Sequence, residues 1–180
     1  MKIYVVRHGQ TELNKKGIFN GQIDEGLSSE GIEQAKKAKS LLPSNIKHIY
    51  SSSLKRTRET AEILNSELNI PISFHDELRE VNAGSINGQP FEGELEIKHK
   101  SLHYDWRPHG GESVEDVKNR LLKILDEIRL NKKEGEILIV AHGGIIRLLH
   151  FLGDGTMLDT IGNASIQIFD LDKILDNNSI

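Results

Sequence analysis

The run Lys2-Ile3-Tyr4-Val5-Val6 is β-branched and aromatic and stops abruptly at Arg7-His8-Gly9. It predicts a buried strand emptying into a functional loop. Beyond it the apolar period changes. Ile32, Ala35, Ala38, Leu41 and Leu42 recur at helical spacing after a capping Ser28 or Ser29, and Pro43 ends the pattern. Ile46 to Ser51 predicts a short strand. Leu54 to Leu68 predicts an amphipathic helix, and Ile70 to Phe74 a further strand whose Pro71 favours a start or an edge. Residues 82–112 break the rhythm with scattered glycines and prolines and one weakly helical piece around Glu94 to Tyr104. Regularity returns at Ser113. With Asp116 three residues on, it opens a helix carrying Val117, Leu121, Ile124, Leu125 and Ile128. Ile137 to Ala141 is a continuous apolar run, the signature of a strand covered on both faces, and it ends in His142-Gly143-Gly144. A helix from Ile145 to Leu152, a strand near Ile166 to Phe169 and a frayed Asp176-Asn177-Asn178-Ser179 end complete the chain. Alternating strands and helices predict a three-layer α/β/α sandwich around a mostly parallel sheet.

Composition narrows what that sandwich does. A chain of 180 residues with 37% hydrophobic content suits one core, so residues 1–180 are expected to form a single domain with 82–112 as a small lid. No apolar run nears a bilayer's span, and Arg7 and His8 come too early for a signal-peptide apolar region. With no cysteine in the chain, a soluble cytoplasmic protein is expected, free of disulfides, thiolate metal sites and cysteine nucleophiles. The net charge of −4 lacks the basic footprint of a nucleic-acid binder. Neither nucleic acid nor membrane is an expected partner; a small anionic substrate is.

Candidate chemistry lies where the two strongest strands end. Ligands of open α/β sheets bind beyond the carboxyl ends of the strands. Arg7-His8-Gly9 and His142-Gly143-Gly144 would gather two imidazoles and a guanidinium there, with glycines admitting a ligand close to the backbone. A lone histidine at a strand end is usually a satisfied core residue; two at equivalent positions point to a site.

The motifs carry a resemblance. Arg7-His8-Gly9-Gln10-Thr11 with Asn14, Asn20-Gly21 and Leu27-Ser28 followed by Gly31 is similar to the opening motif of the histidine phosphatase superfamily, which includes the cofactor-dependent phosphoglycerate mutases. Ser52-Ser53-Leu54-Lys55-Arg56 with Thr60-Ala61 resembles its second motif, Glu80 its acid, Gly111-Glu112-Ser113 the start of its late helix, and Ala141-His142-Gly143-Gly144 its second histidine. The resemblance implies a phosphoglycerate mutase-like fold and a phosphohistidine formed on His8. It also implies that Glu80 protonates the leaving oxygen and then activates water. Arg7, Arg56, Asn14, Asn20, Gly21, His142 and the backbone near Gly143 are expected to hold the phosphoryl group, and Glu80 to need a raised pKa. Local departures from the family pattern at Gly26, Ser53 and Ile86-Asn87 bear on leaving-group specificity.

The expected activity is hydrolysis of small soluble phosphomonoesters, as in broad-specificity or α-ribazole phosphatases. Phosphoglycerate mutase activity is the first alternative, and a catalytically silent phosphate-binding regulator the second. Short segments between Glu80 and His142 and after His142 leave little chain to exclude water, which favours hydrolysis. No cofactor and no metal are expected: His99, His103 and His109 have metal-compatible spacing but are assigned as exposed lid histidines. Tyr104, Trp106, Arg107 and His103 are the residues of segment 84–110 marked for substrate selection, with Trp106 equally suited to packing the lid. Lys55 and Arg58 flank Arg56, Thr11 is assigned a local backbone role, and Glu77 is a solvated competitor of Glu80. A monomer or homodimer is expected.

Overall fold

The computed structural model describes residues 1–131 and 135–178. Five strands, β1 (Lys2–Arg7), β2 (Ile46–Ser52), β3 (Ile72–His75), β4 (Glu136–Ala141) and β5 (Ile166–Asp170), form one sheet in the order β3-β2-β4-β1-β5. All neighbours pair in parallel except β5, which runs antiparallel along the β1 edge. The long helices are α2 (Ser29–Lys39), α3 (Lys55–Asn65), α5 (Val114–Leu130) and α6 (Gly143–Asp154), with shorter α1 (Glu12–Lys15), α4 (Gly93–Lys100) and α7 (Leu171–Asn177).

Alternation along the central strands divides the core into two. Ile3, Val5, Ile137 and Ile139 pack with the buried stripes of α5, α6 and α7, while Tyr4, Val6, Leu138 and Val140 pack with Ala38 of α2 and Ala61 and Leu64 of α3. This is the expected three-layer α/β/α sandwich. Both faces of β1 and β4 are covered, which is why those strands read as unbroken apolar runs.

Several boundaries differ from the periodicity. Ser28 caps α2 through the Gly31 N–H, but the helix stops at Lys39, and Leu41, counted on the apolar stripe, is largely exposed beyond it. Leu54 is the N-cap of α3, which ends at Asn65 instead of Leu68. Strand β3 begins at Ile72, after Pro71, whose missing N–H suits the position just ahead of the ladder. Helix α6 is longer than its apolar core at both ends, running from Gly143 to a left-handed Gly155 cap. The expected frayed end is in fact helix α7 as far as Asn177, anchored by buried Leu171, Ile174 and Leu175; Ser179 lies outside the described residues. The capping box of α5, Ser113 with Asp116, is present as read.

Candidate active site

The parallel register of β1 and β4 sets Arg7 opposite Ala141, and the next residue on each strand is a histidine. The His8 N–H donates to the Ala141 carbonyl at 3.0 Å. The two imidazole rings then lie 5.2 Å apart between centroids. Nδ1 of His8 is 2.7 Å from the Gly9 carbonyl oxygen, which can only accept, so Nδ1 carries the proton and Nε2 keeps its lone pair. Burial, then the charges of Arg56 and Arg7, hold the His8 pKa well below the ordinary value, against a smaller opposing push from the Gly9 bond. The ring is therefore neutral at pH 7. His142 is held neutral in the same way, by burial and then Arg56. It is fully buried beside His8, with Nε2 2.8 Å from Ser52 Oγ, and does not line the cavity wall.

The cavity beyond His8 measures about 320 Å³ and is lined by Arg7, Asn14, Asn20, Gly21, Arg56, Glu80 and Gly143 among others, so all the expected site residues except His142 share one wall. Arg56, in the first turn of α3, is fully buried. Its Nη1 donates to the Ile23 carbonyl and its Nη2 to the Gly21 carbonyl, both at 2.7 Å, which fixes the guanidinium plane. Gly21 takes φ +47 to present that carbonyl, a conformation that favours glycine. Burial lowers the Arg56 pKa to about 10 against the pull of Glu80, Asp24 and Glu25, so it stays charged. Arg7 donates through Nη1 to the Ile161 carbonyl.

Asn14 is oriented by a side-chain network. It donates to Asn20 Oδ1 at 3.0 Å and accepts from Asn163 Nδ2 at 3.3 Å. Asn20 spends both amide hydrogens on Thr11 Oγ1 and Glu25 Oε2, so its side chain aims Asn14 and has no donor left for an anion. Thr11 is the N-cap of α1 and has the local role read from the sequence.

Glu80 is almost fully buried beneath the start of α6. Its Oε2 accepts from the Gly144 N–H and its Oε1 from the Val81 N–H, each at 3.0 Å. A Cβ at position 144 would stand 2.3 Å from Glu80 Oε1 and 3.0 Å from His99 Cε1, so only glycine admits this approach. Burial pushes the Glu80 pKa up, but the His99 side, the two N–H bonds and Arg56 together bring it below the usual carboxylate range. The raised pKa expected from the sequence is thus reversed: carboxylate-binding groups outweigh desolvation.

The lid also departs from expectation. His99, on α4, is buried, edge-on to Phe19 at 5.0 Å and stacked on Tyr104 at 5.7 Å. Burial lowers its pKa to about 4, against the pull of Glu80, so it is a neutral ring. His103 and His109 are exposed. Among the described residues no three His, Cys, Asp or Glu side chains are gathered so as to hold a metal ion. Tyr104 and Trp106, stacked 5.9 Å apart, pack into the core, and Arg107 pairs with Asp105 on the surface. None of Tyr104, Trp106, Arg107 and His103 lines the cavity; Phe91, Glu96, His99 and Lys100 of the lid do. Glu77 faces Lys123, Arg58 lies over the Phe74 ring, and Lys55 is exposed near Glu59.

Sequence reasoning missed the far wall. Arg147 on α6 and residues 159–161 and Asn163 complete the cavity. A guanidinium between the apolar pairs Ile145-Ile146 and Leu148-Leu149 is the signal that would have found Arg147.

A family model described as Histidine phosphatase superfamily (branch 1) matches residues 3–174. A probable phosphatase of Schizosaccharomyces pombe is 39% identical over 158 residues, spanning 84% of this chain and 74% of its own. A 2,3-bisphosphoglycerate-dependent phosphoglycerate mutase of Parvibaculum lavamentivorans is 34% identical over 161 residues, 82% of this chain and 77% of its own. Among solved structures, a mycobacterial glucosyl-3-phosphoglycerate phosphatase complexed with VO3 matches with a TM-score of 0.83 at 29% identity, covering 93% of this chain and 91% of that one. No described helix is long and apolar enough to cross a membrane.

Proposed function

Because the chain belongs to branch 1 of the histidine phosphatase superfamily, we propose that it hydrolyses small phosphomonoesters through a phosphohistidine on His8. The observation that carries this reading is the Nδ1–H bond from His8 to the Gly9 carbonyl, which leaves Nε2 as a neutral nucleophile between two fixed guanidiniums. Arg7, Arg56 and Asn14 bind the equatorial oxygens of the phosphoryl group. Nε2 attacks phosphorus, the ester P–O bond breaks, and Glu80 gives its proton to the departing oxygen. Glu80 begins as a carboxylate, so it must take that proton from solvent when substrate binds. The phosphate dianion supplies the cause, because its charge offsets that of Arg56, which helps the Gly144 and Val81 N–H groups to hold Glu80 ionised. In the second half, Glu80 takes a proton from water as its oxygen attacks phosphorus, and His8 leaves as the neutral ring it was. His142, neutral and hydrogen-bonded to Ser52, buttresses the His8 ring.

Transfer to water, in preference to a second bound alcohol, is supported by the short segment 81–141, which leaves little chain between Glu80 and His142 to enclose the site. The test is to incubate the protein with p-nitrophenyl phosphate and, separately, with 3-phosphoglycerate plus 2,3-bisphosphoglycerate. Phosphate release from the first, no isomer from the second, and an acid-labile phosphoenzyme lost in His8→Ala are the expected results. Isomer without net phosphate release would reassign the protein as a mutase. Phosphate binding with no turnover of either would make it a silent pocket. The His8→Ala substitution should lower kcat by roughly 10⁴-fold or more, as loss of a covalent nucleophile does.

A further inference from the structure

Strand β3 ends at His75, and beyond the short 3-10 turn Asp76–Leu78 residues 79–83 belong to no helix or strand. Glu80 therefore hangs on a stretch that no ladder fixes. That stretch is held from α5. Arg120 donates through Nη1 to the Glu77 and Arg79 carbonyls, both at 2.7 Å, and through Nη2 to the Glu80 carbonyl at 3.2 Å, which also accepts from Gln22 Nε2 at 3.0 Å. Its remaining hydrogens go to Glu112, from Nε to Oε1 at 2.7 Å and from Nη2 to Oε2 at 3.1 Å. Every N–H donor of the guanidinium is thus engaged. Glu112 carries the clamp past Glu80: its Oε2 accepts the Asn82 N–H at 2.8 Å, and its own N–H donates to the Asn82 carbonyl at 2.7 Å. Arg120 does not line the cavity, so its work is done from behind the wall.

We propose that Arg120 is a positioning residue for the acid: with Glu112 it fixes the backbone on both sides of Glu80, and so places the carboxyl group between the Gly144 N–H and the oxygen leaving phosphorus. This rests on the reading of Glu80 as general acid and deepens it. A partly buried ion pair adds little net stability over an apolar pair of the same volume, whereas a planar fork with all its donors used fixes the relative position of everything it joins. Here it joins a helix anchored in the core by Val117, Leu121 and Ile124 to an irregular stretch that has no other rigid support of that length. A glutamate reaches its target through a flexible stem, so its carboxyl group is only as well placed as the backbone that carries it. A displacement near 1 Å costs about 10²-fold in rate. The pairing with Glu112 has its own use, because a clamp with no net charge places Glu80 without opposing the proton it must take up.

Rapid-quench phosphoenzyme formation is compared for n-propyl phosphate, whose leaving oxygen needs a proton, and p-nitrophenyl phosphate, whose leaving oxygen does not. Arg120→Met should slow the alkyl ester by about 10- to 100-fold and leave the aryl ester within about threefold. Arg120→Lys keeps the charge but not the fork, and should show the same selective loss in smaller measure. Placed in a Glu80→Gln background, Arg120→Met should add less than about threefold, because the group it positions is gone. A merely structural role slows both esters together and adds in full to Glu80→Gln; either result would overturn the proposal. Inorganic phosphate, titrated calorimetrically, should bind each variant within about threefold of wild type and so report an intact pocket. If Arg120→Met fails that check, Arg120→Lys decides. A second readout needs no turnover: followed by carbon-13 NMR, the Glu80 carboxyl should titrate at higher pH in both variants than in wild type, as its bonds to the Gly144 and Val81 N–H groups slacken. An unmoved Glu80 titration in a variant that binds phosphate also overturns the proposal. If the titration moves but no ester is turned over, the positioning role stands and the hydrolase reading falls.

Discussion

The two halves of the cavity are built by opposite means. The half around His8, Arg56 and Glu80 hangs on strand ends and on the first turns of α3 and α6, where ladder register and fixed carbonyls set each group. The half formed by Phe91, His99, Lys100 and Arg147 is assembled from the lid, from residues 158–163 and from one side chain of α6. The first half has neutral imidazoles and oriented cations, which the proposed phosphoryl transfer to nitrogen needs whatever the alcohol. The second half touches the first chiefly at Glu80, through His99. Relatives named as a phosphatase and as a mutase carry different activities at similar identity to this chain, which is the behaviour expected where loops over a fixed scaffold select the outcome.

The sharpest way to break the comparison is at Glu80, where the two halves meet. Glu80→Gln should slow alkyl phosphates by roughly 10²–10⁴-fold but spare p-nitrophenyl phosphate, whose leaving group needs no proton. Steady-state kinetics on the two substrate types decides it, and equal losses on both would remove Glu80 from the acid role. Gly144→Ala comes next. Its methyl would displace Glu80 Oε1 from a point 2.3 Å away, and a shift near 1 Å costs about 10²-fold in kcat. Because the nearest atoms to the added methyl belong to Glu80 and His99, the variant should disturb the acid while leaving phosphohistidine formation from p-nitrophenyl phosphate within about tenfold. A rapid-quench measurement of phosphoenzyme yield tests that separation.

Legibility followed the same boundary. Apolar runs ending in His-Gly revealed β1, β4 and the neighbouring His8 and His142 because double-faced burial leaves no polar interruption. Glu80 was found through the motif, but its ionisation was not, since that depends on the Gly144 and Val81 N–H groups that folding brings to it. Helix α7 was missed because it is only seven residues long and ends in polar Asp176 and Asn177. In the lid, polar composition concealed a cluster in which Phe19, from far upstream, turns His99 into a core residue. Tyr104 and Trp106 were marked for substrate contact because amphipathic rings suit both a pocket and a core; only tertiary contacts distinguish the two uses.

The buried lid histidine gives the smallest effect and the clearest sign. His99 stays neutral in the folded protein down to about pH 4, held there by burial against the pull of Glu80, while the unfolded chain protonates it near 6.5. As pH falls between those values the unfolded state binds a proton the folded state refuses, so stability declines across that window and not above it. His8 and His142 act in the same direction, and Glu80, lowered from its ordinary value, adds a further loss only below about 4.5. Urea unfolding at pH 7 and at pH 4.5 should therefore show a marked loss of stability in the wild-type protein. In His99→Gln that loss should shrink by about 2–3 kcal/mol, whatever the variant's starting stability. Parallel losses in the two proteins would mean that His99 titrates freely, and the lid would then have to be treated as an open loop instead of an extension of the core.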